Sequence, residues 1–322
     1  MDRSLIINPD AEAERFLDEY LDATPTVTAY TSGSTGTPKE IALPKSLMRA
    51  SARATNEVFG IRRGDLLLCP LSAKYIASRM MMVRALEAGA RCLMLPPSMR
   101  PLEAWDGEDE ARLIPVVPAQ VAGLLEESTK YTKLKNVLVG GGTLSSDLEK
   151  ALLEAPFETL VSYGMTETCS HVALRRLADD HYTALPGYEF STDERQCLVI
   201  DRDKDIHLVT NDIVKLLDNH TFEWQGRYDN VINSGGIKFF PEQLERCLET
   251  SFPAGTFYFT SRRSERWGEE VVAVIMDEKI SVDSFLAACR RLLPSPYAVP
   301  KSIYRHAPDL TPTSTKLRRR KF

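Results

Sequence analysis

The sequence has no long apolar run, and this absence argues against an apolar membrane-spanning helix. No stretch approaches the ~18 to 20 uninterrupted apolar residues that a helix needs to cross a bilayer. Residues 1–4 also lack the apolar segment of a secretory signal, which makes the cytoplasm the expected location. We therefore expect a chain without stable membrane insertion.

Paired metal ligands and disulfide-type cysteine spacings are absent as well. The six cysteines include no Cys-x-x-Cys pair, and the five histidines are isolated from one another. In a cytoplasmic chain, scattered cysteines are expected to be reduced thiols packed in the core. The pattern therefore predicts neither a protein-built metal cage nor a disulfide framework. The cysteines are Cys69, Cys92, Cys169, Cys197, Cys247 and Cys289.

An excess of positive charge is also missing. The net charge is −5, from 40 basic and 45 acidic residues, whereas a general nucleic-acid binder carries a basic surface. No nucleic-acid partner is therefore expected, although the basic tail KLRRRKF leaves a separate binding role open. With 322 residues, the chain suits one large domain or two of unequal size.

Strand and helix patterns alternate along the first part of the chain. The predicted elements are helix 11–21, strand 27–30, helix 45–59, strand 65–68, helix 74–87 and strand 90–95. This alternation is typical of an α/β fold with a largely parallel sheet. After about residue 185, β-branched residues and short polar turns predict small antiparallel strands.

Helix and strand patterns restart near Gly226, and Ser281 is the expected N-cap of a later helix. The sequence therefore predicts a large α/β domain over 1–226, which includes a small β-rich subdomain. A small α+β domain is predicted over 227–322.

A flexible, hydroxyl-rich segment, YTSGSTGTPK, occupies residues 30–39. Its glycines can expose backbone N–H groups to an anion, its hydroxyls add donors, and its lysine adds charge. The segment suits a phosphate-binding loop but does not match the Walker A pattern. Taken alone, the segment is only suggestive, because a bare run of this composition is more often a solvated loop without a function. The candidate phosphate ligands are Thr31, Ser32, Gly33, Ser34, Thr35, Gly36 and Lys39.

Three further segments follow in order: YGMTET at 163–168, GRYDNVINSGGIKFFPEQLE at 226–245, and LTPTSTKLRR at 310–319. Together with the hydroxyl-rich loop, this set resembles the adenylate-forming superfamily, which includes acyl-CoA synthetases. The resemblance covers the chain from about residue 28 to its end. It implies ATP, Mg²⁺ and coenzyme A as cofactors or co-substrates, and a small-molecule acid as the substrate.

The resemblance also implies a role for each matching residue. The 30–39 segment would grip the β- and γ-phosphates, while Thr166 would contact the α-phosphate and Glu167 would bind Mg²⁺. Lys316 matches the catalytic lysine, and Asp229 matches the hinge of a small mobile domain. The adenosine would be held by Tyr163, Gly164, Gly140, Gly141, Gly142, Asp212 and Arg227. The thiol tunnel would be lined by Ser234, Gly235 and Gly236.

Within the superfamily, PLSAKYIASRMMMVRALEAGARC at 70–92 resembles the o-succinylbenzoate–CoA ligase family. By this likeness Arg84 would hold a second substrate carboxylate, with Lys74 and Tyr75 nearby. A carboxylate that enters an apolar pocket needs a cation, which agrees with that role. The alternative is that Arg84 pairs with Glu87 on a surface helix.

The sequence departs from the family pattern at several points. The segment before the phosphate loop is short, so much of one N-terminal subdomain is expected to be missing. Asn211 and Thr315 each replace a glycine that the family usually carries. Three alternatives therefore stay open: another aryl- or acyl-CoA synthetase, an enzyme that loads a carrier protein, and a nucleotide-binding pseudoenzyme. Self-association is also left open.

Overall fold

The computed structural model describes residues 1–30, 39–203, 205–305, 319 and 321–322. Its helices are α1 Ala11–Leu21, α2 Lys45–Val58, α3 Ile76–Ala88, α4 Pro118–Ser128, α5 Ser146–Leu153, α6 Pro241–Leu248 and α7 Val282–Leu292. Three segments form one-turn 3₁₀ helices: Arg3–Leu5, Thr166–Thr168 and Tyr228–Asn230. Within these described ranges, no helix combines the length and apolarity needed to span a membrane.

Strands occur throughout the chain. The first ten are β1 Ile6–Ile7, β2 Thr26–Tyr30, β3 Glu40–Pro44, β4 Leu66–Cys69, β5 Arg91–Met94, β6 Ala111–Val116, β7 Asn136–Val139, β8 Glu158–Gly164, β9 His171–Arg176 and β10 Tyr182–Ala184. The later ones are β11 Glu189–Thr192, β12 Cys197–Arg202, β13 Ile206–Leu216, β14 Thr221–Arg227, β15 Ile232–Ser234, β16 Ile237–Phe239, β17 Phe257–Ser264, β18 Gly268–Ile275 and β19 Ser302–Arg305.

The chain divides into two compact units. The first contains residues 1–143, 150–189 and 202–206, and the second contains 144–149, 190–201 and 207–322. The proposed domain boundary after residue 226 remains a prediction.

The first unit contains the parallel sheet that the strand–helix alternation predicts. Its strand order is β1-β5-β4-β6-β7-β8-β9-β10, and each neighbouring pair from β1 to β8 is parallel. The pairs β8–β9 and β9–β10 are antiparallel. β4 is buried at all four positions, as expected for a strand covered on both faces. The predicted α/β fold class is confirmed.

Helix α1 has the bounds that the sequence predicts, and Asp10 caps it by accepting a hydrogen bond from the Ala13 N–H. Helix α3 begins at Ile76 rather than at Lys74, because Tyr75 has an extended backbone and serves as its N-cap. Most of α3 is buried on every side, which agrees with its run of methionines.

Strands β2 and β3 form a separate antiparallel hairpin, with Tyr30 paired to Glu40. The hydroxyl-rich segment is therefore the connection between two paired strands. The predicted strand at 27–30 is confirmed within one residue, whereas β3 has no counterpart among the predicted elements.

In the second unit, β15–β19 form one sheet with the order β16-β15-β18-β17, and β19 pairs with β18. Apolar side chains from this sheet pack against α6 and α7, with Phe257, Phe259 and Phe285 in the core. Ser281 caps α7 as predicted, because its side chain accepts a hydrogen bond from the Ser284 N–H.

The basic tail contributes to this second core. The Arg319 side chain is 9% exposed and donates hydrogen bonds to both carboxylate oxygens of Glu245, at 2.6 and 2.9 Å. Phe322 stacks on Tyr304, with 4.3 Å between the ring centroids. At Arg319, therefore, the positive charge is used inside the protein and is not presented to an external partner.

Candidate functional site

Arg84 lies in the middle of α3 and is only 2% exposed. Burial lowers the pKa of its guanidinium to about 10, so the group keeps its charge at neutral pH. The surface ion pair offered as the alternative role for Arg84 is wrong, because Arg84 is buried and Glu87 pairs with Arg53 at 2.9 Å. The chain thus places a cation in its interior, where charge is costly to desolvate.

The described residues give this buried cation only neutral partners. Its Nη2 donates to the Ser170 Oγ at 2.7 Å and lies 3.5 Å from the His171 Nδ1, and its Nη1 faces the Met81 Sδ at 3.3 Å. Its Nε has no hydrogen-bond partner, and no carboxylate in the described part of the chain lies within ion-pair distance. The described contacts therefore leave the guanidinium without a counter-ion.

Three residues of this cluster were not predicted as site residues: Thr55 on α2, Ser170 and His171. Thr55 Oγ1 lies 3.1 Å from His171 Nε2. Burial and the nearby Arg84 charge lower the pKa of His171 well below its ordinary value, so the imidazole is neutral at neutral pH. Ser170 and His171 directly follow YGMTETC in the sequence. This closeness to a recognisable motif is the signal that could have marked them as site residues.

Lys74 and Tyr75 do not share the environment of Arg84. Both are exposed, and they precede the first residue of α3. Arg84 lies eight residues beyond Ile76, a rise of about 12 Å along the helix axis. The structure records no contact between either residue and Arg84, and their role in acid binding stays a prediction.

Tyr163 and Gly164 end strand β8. The ring of Tyr163 lies 5.7 Å from that of Tyr182, centroid to centroid. The register of β8 against β9 shifts between Tyr163 and Gly164, so the backbone of Gly164 approaches His171 closely. A Cβ atom at Gly164 would lie 2.4 Å from both the His171 Cα and the Ser170 carbonyl oxygen. Glycine is therefore required here by the approach of two backbones.

We expect Gly164→Ala to lower the free energy of unfolding by about 2 kcal/mol or more, because the added methyl group overlaps fixed backbone atoms. Chemical denaturation would measure the change. Gly142→Ala is the matched control, since its Cβ would meet only Pro118 at ordinary contact distance, 3.4 Å. An equal effect of both substitutions would contradict the explanation.

Glu167 lies in the one-turn helix Thr166–Thr168 and is exposed, while Thr166 is half-buried. So short a helix offers little macrodipole, so stabilisation of a helix terminus does not by itself explain a carboxylate at Glu167. In the described ranges no group of three or more His, Cys, Asp or Glu side chains could hold a metal by itself. A lone carboxylate fits Mg²⁺, which takes one or two carboxylates and completes its shell with substrate phosphates and water.

The glycines at 140–142 follow strand β7, as the sequence predicts. Gly140 donates a backbone hydrogen bond to the Val116 carbonyl at 3.0 Å and lies beside Ser162 on β8. These glycines follow β7 and Tyr163 lies near the end of β8, and the carboxyl ends of these two parallel strands meet at one edge of the sheet. That edge is the usual position for a ligand in an open α/β sheet.

Asp212 and Arg227 are directly opposite each other on β13 and β14 of the second unit. Arg227 Nη1 lies 3.5 Å from the Asp212 carboxylate, and the indole Nε1 of Trp224 donates to the same oxygen at 3.3 Å. Asp212 is 6% exposed. The structure thus brings the two predicted ribose-binding residues together and adds Trp224, which was not predicted.

Asp229 is exposed and contacts two neighbours. Arg227 Nη2 lies 3.8 Å from its carboxylate, and the Asn211 side chain donates to it at 3.3 Å. Asn211, which replaces a glycine of the family pattern, also accepts a hydrogen bond from Arg195. These contacts give Asp229 a part in a local ion pair, and its role as a hinge stays a prediction.

Gly235 and Gly236 form the two-residue turn of the hairpin β15–β16, in which Ser234 pairs with Ile237. Both have positive φ, +62° and +83°, as a type I′ turn requires. A Cβ atom at Gly235 would lie 2.8 Å from the Trp267 ring. The turn alone explains both glycines, and their place in a thiol tunnel stays a prediction.

Several predicted ligands lie outside the described residues. These are Thr31, Ser32, Gly33, Ser34, Thr35, Gly36 and Lys316. Lys39, at the end of the same segment, is described and exposed. The cysteines are all free thiols, and only Cys247 is less than fully buried, which confirms the predicted core thiols with that one exception.

Comparison with known proteins gives a consistent family. The model of the family described as "AMP-binding enzyme" matches residues 11–208, which is more than half of the chain. A 2-succinylbenzoate–CoA ligase of Enterococcus faecalis is 26% identical over 320 residues, covering 85% of this chain and 64% of that protein. An indoleacetate–CoA ligase of Aromatoleum aromaticum is 25% identical and covers 79% of this chain and 57% of its own length. The chain thus spans somewhat less than two thirds of these relatives.

Solved structures agree with the fold. The crystal structure of an acyl-CoA synthetase (AMP-forming)/AMP-acid ligase II-like protein from Dyadobacter fermentans is 32% identical, with a TM-score of 0.64, and the match covers 93% of this chain and 89% of that one. An o-succinylbenzoate–CoA synthetase from Bacillus subtilis, in complex with the acyl-adenylate intermediate OSB-AMP, has a TM-score of 0.79 at 20% identity. That match covers 90% of this chain and 67% of the synthetase.

Proposed function

Because the chain belongs to the AMP-binding enzyme family, we propose that it is an ATP-dependent acid–CoA ligase that works through an acyl-adenylate. We further propose o-succinylbenzoate as the acid, with AMP and pyrophosphate as the released products. The names of the relatives support the reaction class, and the buried Arg84 supports the choice of acid.

The observation that carries the substrate proposal is the interior cation without a described counter-ion. A buried guanidinium with only neutral partners is costly unless an anion joins it. o-Succinylbenzoate has two carboxylates, so one can react while the other pairs with Arg84. A planar guanidinium suits a carboxylate because it can offer two parallel N–H donors. Acids with a single carboxylate would leave Arg84 unpaired.

The first chemical step requires one anion to attack another, because the substrate carboxylate attacks the α-phosphate of ATP. Catalysis of such a step rests on positioning and on groups that offset negative charge. In the proposal, Thr166 contacts the α-phosphate and Lys316 bridges it to the attacking carboxylate. Tyr163 packs on the adenine, and Asp212 binds the ribose hydroxyls with Arg227 beside it.

Glu167 would hold Mg²⁺, which when bound supplies positive charge next to the phosphates. The thiol of CoA then attacks the acyl-adenylate and releases AMP. In the proposal, Asp229 is the hinge of a small domain over 227–322, which brings Gly235 and Gly236 toward the thiol. The cytoplasm is the proposed location, since ATP and CoA are the co-substrates.

We expect Asp212→Asn to weaken ATP binding by about tenfold, because a carboxylate that accepts two ribose hydroxyls is replaced by a weaker acceptor. Isothermal titration calorimetry with ATP and Mg²⁺ would measure the loss. Asp218→Asn is the matched control, since Asp218 is exposed in the turn between β13 and β14. Equal ATP affinity in Asp212→Asn and the native protein would rule out the assigned role.

The proposed reaction is tested by incubating the protein with ATP, Mg²⁺, CoA and a panel of acids, and detecting thioester by mass spectrometry. We expect thioester with o-succinylbenzoate and little with benzoate or fatty acids. A carrier protein with its pantetheine arm would replace CoA in a parallel reaction, and product formed only with the carrier would favour an enzyme that loads carriers. ATP binding without any product would favour a nucleotide-binding pseudoenzyme.

A further inference from the structure

We propose that Thr55 and His171 are positioning residues, which hold Arg84 in place for the second anionic group of the acid. This inference rests on the proposed function and extends it to two residues on α2 and β9. Its basis is a chain of hydrogen bonds in which the direction of every donor can be worked out.

The chain of hydrogen bonds begins at Thr55. The Thr55 hydroxyl donates its single hydrogen to the Ser51 carbonyl, at 3.0 Å along helix α2. Because the Arg84 guanidinium can only donate, His171 Nδ1 accepts from its Nη2 at 3.5 Å, and Thr55 Oγ1 accepts at its contact with His171 Nε2, at 3.1 Å. The proton of the neutral imidazole therefore resides on Nε2.

The proton on Nε2 determines the hydrogen-bonding role of the other ring nitrogen, Nδ1. A neutral imidazole with its proton on Nε2 has a bare Nδ1, which can only accept. His171 Nδ1 faces the Ser170 Oγ at 3.3 Å and the Arg84 Nη2 at 3.5 Å, and both are donors. Ser170 in turn accepts from Arg84 Nη2 at 2.7 Å. The donors run in one direction, from Arg84 through Ser170 and His171 to Thr55 and the Ser51 carbonyl.

The directions of these hydrogen bonds determine the charge of the cluster. Because Nδ1 accepts, His171 contributes no positive charge beside Arg84, and the guanidinium remains the one cation of the cluster formed by Thr55, Ser170, His171 and Arg84. Burial and the Arg84 charge both act against protonation of His171, which keeps the acceptor available at neutral pH. The other titratable groups near Arg84 are the buried thiols of Cys69 and Cys92, and burial raises the pKa of each.

The chain of hydrogen bonds also determines which nitrogens of Arg84 are left for a ligand. Ser170 and His171 engage Nη2, whereas Nε has no partner and Nη1 faces only the weak sulfur acceptor of Met81. A carboxylate would give Nε or Nη1 the strong acceptor it lacks, while Nη2 stays anchored. A residue that fixes Nη2 thereby sets the direction in which the remaining donors point.

The tautomer can be tested without any substrate. Long-range nitrogen–proton NMR correlation distinguishes the two neutral tautomers of histidine, and the His171→Gln variant assigns the signal among the five histidines. We expect a protonated Nε2 and a bare Nδ1 in the native protein. In Thr55→Val, which removes the acceptor at nearly equal volume, we expect this preference to be lost. Thr55→Ser keeps the hydroxyl and should restore it. A native His171 that is protonated on Nδ1, or charged, would overturn the proposal.

The positioning role is tested by kinetics on the same variants. We expect Thr55→Val to raise KM for o-succinylbenzoate about tenfold, the effect of weakening one charge-assisted hydrogen bond, with KM for ATP unchanged. Thr55→Ser should return KM for the acid to the native value. Equal increases in both KM values, or no change for the acid, would overturn the role. If the native protein converts no acid at all, the proposed function and the positioning role both fail, whereas the NMR result still decides the hydrogen-bond chain.

Discussion

Arg84→Met is expected to abolish acid activation while leaving the fold as stable as before, or more stable. The methionine fills a similar volume in α3 without bringing a charge into the interior. We expect kcat/KM for o-succinylbenzoate to fall by roughly 100- to 1000-fold, since a buried charge-assisted contact is lost. The free energy of unfolding should stay unchanged or rise by up to about 3 kcal/mol, because burial disfavours the charged guanidinium, whose pKa is lowered to about 10.

Opposite effects on activity and stability are characteristic of a residue that is kept for its ligand. The matched control is Arg53→Met, which removes an arginine from the neighbouring helix α2. Arg53 is largely exposed but its partner Glu87 is only 5% exposed, so Arg53→Met should lower the free energy of unfolding, in contrast to the unchanged or higher stability expected of Arg84→Met. Activity should be nearly unaffected in this control. Strong destabilisation by Arg84→Met, with activity retained in the folded fraction, would show that Arg84 is structural.

The second large effect is expected at the buried ion pair between Arg319 and Glu245. Arg319→Met should lower the free energy of unfolding by about 3 kcal/mol near neutral pH, because it leaves the largely buried carboxylates of Glu245 and Glu242, which are 18% and 15% exposed, without their cation. Replacing both members of the pair, with Glu245→Leu added, should cost clearly less than the sum of the two single changes. Chemical denaturation of the four proteins would measure the coupling.

The pH dependence of the Arg319→Met variant gives an independent test. Burial raises the pKa of Glu245 to about 7 even though Arg319 acts to lower it, so without Arg319 the carboxyl should hold its proton still more firmly. A folded-state pKa above the unfolded value gives stability that is present at low pH and lost as the pH rises through the folded value. The deficit of Arg319→Met should therefore be smaller at about pH 5 than at about pH 8. The exposed pair of Lys215 and Glu223 is the control, and Lys215→Met should change stability by less than about 1 kcal/mol.

Local sequence signals predicted the elements that depend on local interactions. Helix α1 has its predicted ends because Asp10 caps it and its apolar residues face one side. Ser281 caps α7 for the same reason. Strand β3 had no predicted counterpart, since it is stabilised by pairing with β2 across the hydroxyl-rich segment, and a short strand of that kind has no strong pattern of its own.

In the candidate site, too, local motifs could be recognised in the sequence, whereas contacts between distant residues could not. Tyr163, Glu167 and Asp212 were predicted because they belong to recognisable motifs, and the structure pairs Asp212 with Arg227 across two strands. The contact between Thr55 and His171 was invisible in the sequence, because the two residues are 116 positions apart. The burial of Arg84 could have been inferred from α3 itself, since a helix that is apolar on nearly every side is buried on nearly every side.

The most direct test of the proposed function is the exchange of labelled pyrophosphate into ATP, measured with the native protein, Mg²⁺ and o-succinylbenzoate in the absence of CoA. Exchange requires only the first step, so it isolates formation of the acyl-adenylate from thiol transfer. We expect exchange that depends on o-succinylbenzoate, is absent without an acid, and is lost in Arg84→Met. No exchange with this or any other acid, despite measurable ATP binding, would contradict the proposal that the chain is an adenylate-forming ligase.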